Sequence, residues 1–86
     1  MNINELIAIV KKKLCQEIRI ENLKIEDKSF LHKNHKENQV GKFHLKITIT
    51  SKELKEMNKI ESNKKIYRIL DDEIKKSIHS LQLLIF

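Results

Sequence analysis

The stretch IYRILDDEIKKSIHSLQLLIF, residues 66–86, changes its hydrophobic period partway along, and that change decides the fold. Ile66, Leu70, Ile74 and Ile78 recur every four residues, with Tyr67 and Ile69 widening the stripe, which predicts a helix packed on one side. Beyond His79 the period falls to two. Leu81, Leu83 and Ile85 alternate with Ser80 and Gln82, as expected of a strand with one face on a core. His79 stands at the joint, where a side chain is held by two elements at once.

Upstream of this stretch, Leu45, Ile47 and Ile49 alternate with His44, Lys46, Thr48 and Thr50, giving a strand with one buried and one wet face. Ser51 follows as the cap of a short helix over residues 52–57, and a turn near Asn58 leads into one long helix ending around Ser77. The N-terminal segment opens with Asn2 and Glu5 at capping-box spacing, and Ile3, Leu6, Ile7, Val10 and Leu14 form the stripe of a first helix ending near Gln16. Cys15 lies beside that stripe and is read as a buried small hydrophobe. A first strand is placed at residues 22–28, with the slip of register at Asn22 marking a bulge or a late start. Between the strands, KSFLHKNHKENQVGK is a long polar loop ending near Gly41, the only glycine.

The predicted order is therefore helix, strand, strand, short helix, long helix, strand. That is an α+β domain with a three-stranded mixed sheet and helices packed on one face. The first two strands pair antiparallel through the loop, and the third returns through a helical crossover to lie parallel.

With 86 residues, residues 1–86 read as a single small domain, without space for a catalytic cleft between subdomains, so a non-enzymatic binding module is expected. A formal charge of +6, from 18 basic and 12 acidic residues, would attract nucleic acid, anionic lipid or an acidic protein without choosing among them. Arginine, the residue best suited to reading base edges, appears only as Arg19 and Arg68. One cysteine excludes an internal disulfide and suits a reducing compartment. The N-terminus lacks a signal-peptide layout and no stretch reaches transmembrane length, so a cytoplasmic protein without membrane attachment is expected. Asp71, Asp72 and Glu73 are consecutive on a helix and point different ways; they read as solvated rather than as paired catalytic carboxylates, with a structural role as the alternative for Glu73.

Taken in order, Asp27, Ser29 and His32; Gly41, His44, Leu45, Ile47, Ile49 and Ser51; Ile66, Tyr67, Leu70 and Glu73; and Ile78, His79, Leu81 and Leu83 form a set that resembles the BolA family over nearly the whole chain, with no gap needed after Gly41. The resemblance implies a class II KH-like fold, αββααβ. It also implies a non-enzymatic role in iron–sulfur trafficking, in which the protein forms a heterodimer with a monothiol glutaredoxin and co-ligates a bridging [2Fe-2S] cluster. In that arrangement the BolA-like partner supplies its C-terminal histidine and a His or Cys from the loop between the first two strands, while glutaredoxin cysteine and glutathione supply the rest. Carried onto this chain, the first ligand is His79 and the second is His32, which makes this a histidine-type member. His44, on the polar parity at the head of the second strand, is the competing second ligand, and His35 ranks last. The isolated chain is expected to be apo.

The family's R-H-R motif is replaced by Ser62, Asn63 and Lys64, which removes basic groups from a surface where contacts with nucleic acid would be sought. The alternative reading is a DNA-binding transcriptional regulator using a KH-like or helix-turn-helix-like surface, with Lys59, Lys64, Lys65 and Arg68 as the partner or nucleic-acid contacts. A G-x-x-G clamp on the backbone cannot form with Gly41 alone. A metal-free interaction adaptor is the third reading.

Overall fold

The structure, a computed structural model, describes residues 2–29 and 43–86. Helix α1 (Ile3–Glu17) begins at Asn2, whose side-chain oxygen accepts the Glu5 amide at 2.9 Å while its amide nitrogen donates to the Glu5 carboxylate at 3.1 Å. This is the reciprocal cap expected from the Asn2/Glu5 spacing. Leu6, Val10 and Leu14 are the buried face of α1. Cys15, one step round the helix, is exposed, contrary to its reading as a buried residue. A residue about 100° from the centre of a narrow stripe falls on its flank, and among the described residues that flank is left uncovered.

Strand β1 (Asn22–Asp27) pairs antiparallel with β2 (Phe43–Thr50), from Asn22 opposite Thr50 to Asp27 opposite Leu45. The slip near Asn22 is thus a late strand start. Strand β3 (Ile78–Ile85) lies parallel to β2 on its other side, giving the three-stranded mixed sheet in the order β1-β2-β3. Leu45, Ile47 and Ile49 of the central strand are buried against Leu6, Val10 and Leu14 from α1 and Leu54, Ile66 and Leu70 from the later helices. The α+β class with helices on one face of the sheet is as the sequence predicts.

Helix α2 (Lys52–Lys55) starts where expected, with the Ser51 hydroxyl accepting the Leu54 amide at 3.2 Å and donating to the Arg19 carbonyl at 2.7 Å. Ser51 is fully buried, and both sides of its hydroxyl are used. Helix α3 (Lys59–Ile69) carries its own reciprocal cap between Asn58 and Glu61, at 2.8 and 3.1 Å. The long helix then departs from expectation. It breaks at Leu70 (φ −98°, ψ 17°), and α4 (Asp71–Lys76) follows as a separate segment. The Leu70 amide still bonds to the Ile66 carbonyl and its carbonyl to the Ile74 amide, so hydrogen bonding crosses the break while the path bends. Asp71 and Asp72 favour such a restart, because short acidic side chains compete with a helix interior and suit a first turn.

The four-residue stripe is corrected at its lower end. Ile66 and Leu70 are fully buried, Ile74 is only partly so, and Ile78 belongs to β3 rather than to the helix. Glu73, expected in solvent, is 8% exposed and receives the Lys13 ammonium at 2.7 Å. The hydrogen bond to Glu73 holds the Lys13 ammonium above its ordinary pKa, against the opposing effect of desolvation.

A second ion pair ties α2 to α3. The Glu53 carboxylate accepts from Lys65 at 2.9 Å and from the Arg19 amide at 3.2 Å. The Lys65 bond first and the Arg19 amide second lower the Glu53 pKa from 4.5, against partial desolvation. A carboxyl whose folded pKa lies below its unfolded value stabilises the fold above that unfolded value and loses the contribution as pH falls through the folded one. Glu53→Gln should therefore lower Tm at neutral pH, and its gap to the wild type should narrow as pH drops below 4.5. Melting curves across that range check this, and a gap independent of pH would show that the carboxylate charge contributes nothing.

Among the described residues, no helix is long and apolar enough to cross a membrane.

Candidate functional site

At the α4–β3 joint the ladder between β2 and β3 is irregular. Phe43 pairs with Ile78, but His44 pairs with Ser80, so β3 carries one extra residue there, and it is His79. Such a bulge re-aims side chains and is common beside functional sites. It resolves the arithmetic of the sequence: Ile78 and Leu81 both turn toward the core although they are three residues apart, a step a regular strand forbids. The Phe43 amide, bonded to the Ser77 carbonyl at 2.8 Å, pins the start of the pairing.

The bulge puts His44 and Ser80 side by side, with His44 Nδ1 and Ser80 Oγ 2.6 Å apart. His79 then meets the His44 ring edge-on, with centroids 4.9 Å apart and planes at 65°. His79 is exposed and His44 is buried, at 5% exposure. This corrects the reading of the His44 face as uniformly wet. With Nδ1 engaged by Ser80, a metal bond from His44 would run through Nε2, the neighbour fixing the ring.

The backbone around His44 is held by the start of the inter-strand connection. Its amide donates to Ser29 Oγ at 3.1 Å, the Ser29 amide donates to Asp27 Oδ1 at 2.9 Å, and the Lys28 amide donates to the His44 carbonyl at 2.7 Å. Asp27 and Ser29 thus act as a staple between the end of β1 and the head of β2. Their side-chain chemistry explains the spacing: an Asp oxygen closes a local turn two residues on, which leaves the serine hydroxyl directed at the neighbouring strand.

His32 and His35 lie outside the described residues. Among the described residues no cluster of three or more His, Cys, Asp or Glu side chains stands ready to hold a metal. What this chain brings together is a pair of imidazoles from adjacent strands. A pair is an incomplete site for a cluster that needs four ligands, and it suits ligation shared with another molecule.

The basic residues singled out in the sequence divide between two surfaces. Lys64, Lys65 and Arg68 border a shallow depression with Met57 and Glu61, and Lys65 is paired there with Glu53. Lys59 lines a different groove, beside β3.

A family model described as "BolA-like protein" matches residues 14–86, and the chain belongs to this family. The chain is 33% identical over 78 residues to the "DNA-binding transcriptional regulator BolA" of Haemophilus influenzae, covering 91% of this chain and 73% of that protein. Among solved structures, BolA1 from Arabidopsis thaliana superposes with a TM-score of 0.79 at 25% identity, over 93% of this chain and 88% of that one. The BolA domain of SufE1 from Arabidopsis thaliana superposes with a TM-score of 0.77 at 24% identity, over 99% and 92% of the two chains, a likeness of fold.

Proposed function

We propose that this BolA-like protein is a non-enzymatic partner of a monothiol glutaredoxin, and that it helps to hold a [2Fe-2S] cluster as cargo between the two proteins. The observation that carries the reading is the edge-on pair of imidazoles, His44 and His79, at the β3 bulge. His79 is the first ligand. The family pattern assigns the second to His32, and the ring contact supports His44 as the alternative. Two imidazoles from this chain and two thiolates, from the glutaredoxin and glutathione, would complete the four positions. Imidazole ligation raises the reduction potential of such a cluster relative to four thiolates.

The chain has one thiol, and Cys15 is on α1. Purified alone it should be colourless. Mixed with a monothiol glutaredoxin, glutathione, iron and sulfide, it should yield a brown heterodimer with a visible spectrum distinct from that of the glutaredoxin alone. Stable brown protein with no partner present, or a glutaredoxin spectrum unchanged by this chain, would contradict the reading.

A second reading is DNA binding. It draws on the name of the Haemophilus influenzae relative and on the Lys64, Lys65 and Arg68 cluster. Binding of that kind rests on phosphate neutralisation and weakens steeply with salt.

A further inference from the structure

We propose that the open edge of β3, with the groove beside it, is a docking site for an extended acidic peptide segment of another protein. In the order β1-β2-β3, β3 is an edge strand. The direction of its peptide groups follows from its end: the Phe86 amide donates to the Ile49 carbonyl at 2.7 Å and the Phe86 carbonyl accepts from the Ser51 amide at 2.9 Å, so Phe86 faces β2. Peptide groups alternate along a strand, which turns those of Ile85, Leu83 and Leu81 outward. Tyr67 agrees with this assignment, because its hydroxyl reaches the Leu81 carbonyl from α3, at 3.5 Å. Among the described residues nothing similar covers Leu83 or Ile85.

Unpaired edges of this kind are templates for a further strand, and proteins commonly blunt them. Here the edge opens instead into a groove of about 450 Å³, where Leu83 and Ile85 meet Met57, Leu54 and Phe86, the last of these 57% exposed. An added strand would find backbone partners along the edge and an apolar floor for alternate side chains. The charge of the groove selects the occupant. Lys55 and Lys59 line it, and among the described residues neither has an ion-pair partner and no carboxylate side chain lines it.

A peptide fits these features better than a single-stranded nucleic acid. Among the described residues Phe86 is the only aromatic that lines the groove, which offers successive bases no row of stacking platforms there. The turn that contributes Met57 also carries Glu56 and Asn58, with no glycine to admit a phosphate backbone closely. The groove is at the Ile49–Ile85 end of the β2–β3 ladder, away from His44 and His79 at the other end. Both sites can be filled at once, and neither proposal depends on the other.

The test uses a short fluorescein-labelled peptide alternating valine and glutamate, followed by fluorescence polarisation and by amide NMR shifts of the full chain. Two N-methylated versions, blocked at alternate positions in the two possible registers, separate backbone pairing from charge. A lysine-for-glutamate peptide and an oligothymidylate of equal charge complete the arms. The parent peptide should bind and shift the Leu83 and Ile85 amides. One N-methylated register should bind roughly tenfold more weakly or worse, as lost edge hydrogen bonds require, and the other should be nearly unaffected. Lys55→Glu with Lys59→Glu should weaken the parent by roughly tenfold and favour the lysine peptide. Absence of binding at millimolar peptide, equal affinity of both N-methylated registers and the parent, or tighter occupancy of the same amides by oligothymidylate would each overturn the proposal.

Discussion

Leu70→Ala should destabilise the protein by about 2–5 kcal/mol, the range for deleting most of a fully buried leucine. Leu70 is 0% exposed, at the junction of α3 and α4, and it sits in the same cluster as Ile66, Leu6 and the central-strand residues. Two effects add at this position: transfer of the side chain out of water is lost, and a cavity is left where the backbone already departs from helical geometry (φ −98°, ψ 17°). Against a typical total stability of about 5–15 kcal/mol, the loss is a large fraction. Urea unfolding of the variant measures it. Ile60→Ala is the control, since Ile60 is 69% exposed and its truncation should change stability by no more than about 0.5 kcal/mol. A Leu70→Ala loss as small as the control's would mean that the junction does not close on the core.

That junction also shows where local pattern stops being informative. The spacing of Ile66, Leu70 and Ile74 runs unbroken through it, because the hydrogen bonds around Leu70 continue while the path bends. Two of the caps, by contrast, were legible, while Asn58, which caps α3 with Glu61, read only as a turn. Asn2 with Glu5 and Ser51 with Leu54 are bonds between residues three apart, and their chemistry is local. So was the buried alternation of Leu45, Ile47 and Ile49, whose strand is central and therefore covered. Glu73 was not legible, since its burial is supported by Lys13, 60 residues away in sequence.

The candidate site divides in the same manner. His79 announced itself by the change of period, but the pairing of His44 with Ser80 depends on an extra residue in β3, and the clue was only the three-residue step from Ile78 to Leu81. Polar parity alone placed His44 on a solvated face. Ser29 from just past the end of β1 and the adjacent His79 and Ser80 of β3 gather around this residue, contacts between parts of the chain far apart in sequence.

His79→Ala should abolish the visible spectrum of the cluster reconstituted with glutaredoxin and glutathione, or change it markedly, while leaving association of the two apo proteins partly intact. On the proposed ligation a ligand bond is lost outright, whereas the protein–protein surface keeps its other contacts. His79 is exposed, so its truncation should cost the fold little, and an intact melting curve should accompany the spectral loss. His32→Ala and His44→Ala then divide the second position. His44 is buried against Ser80, so its variant is paired with Ser80→Ala, which removes the Nδ1 partner without removing the ring. A spectrum altered by His32→Ala alone assigns the ligand to the inter-strand connection; one altered by His44→Ala, and more weakly by Ser80→Ala, assigns it to β2. DNA binding, measured on the same variants with duplex at low and physiological salt, should be indifferent to His79 and should fall when Lys64 and Arg68 are neutralised. An unchanged cluster spectrum in His79→Ala, together with salt-resistant and sequence-dependent DNA binding, would reverse the order of the two readings. The ligand predictions depend on bonds to individual imidazoles and the DNA predictions on screened charge, so the histidine variants and the salt titration separate them.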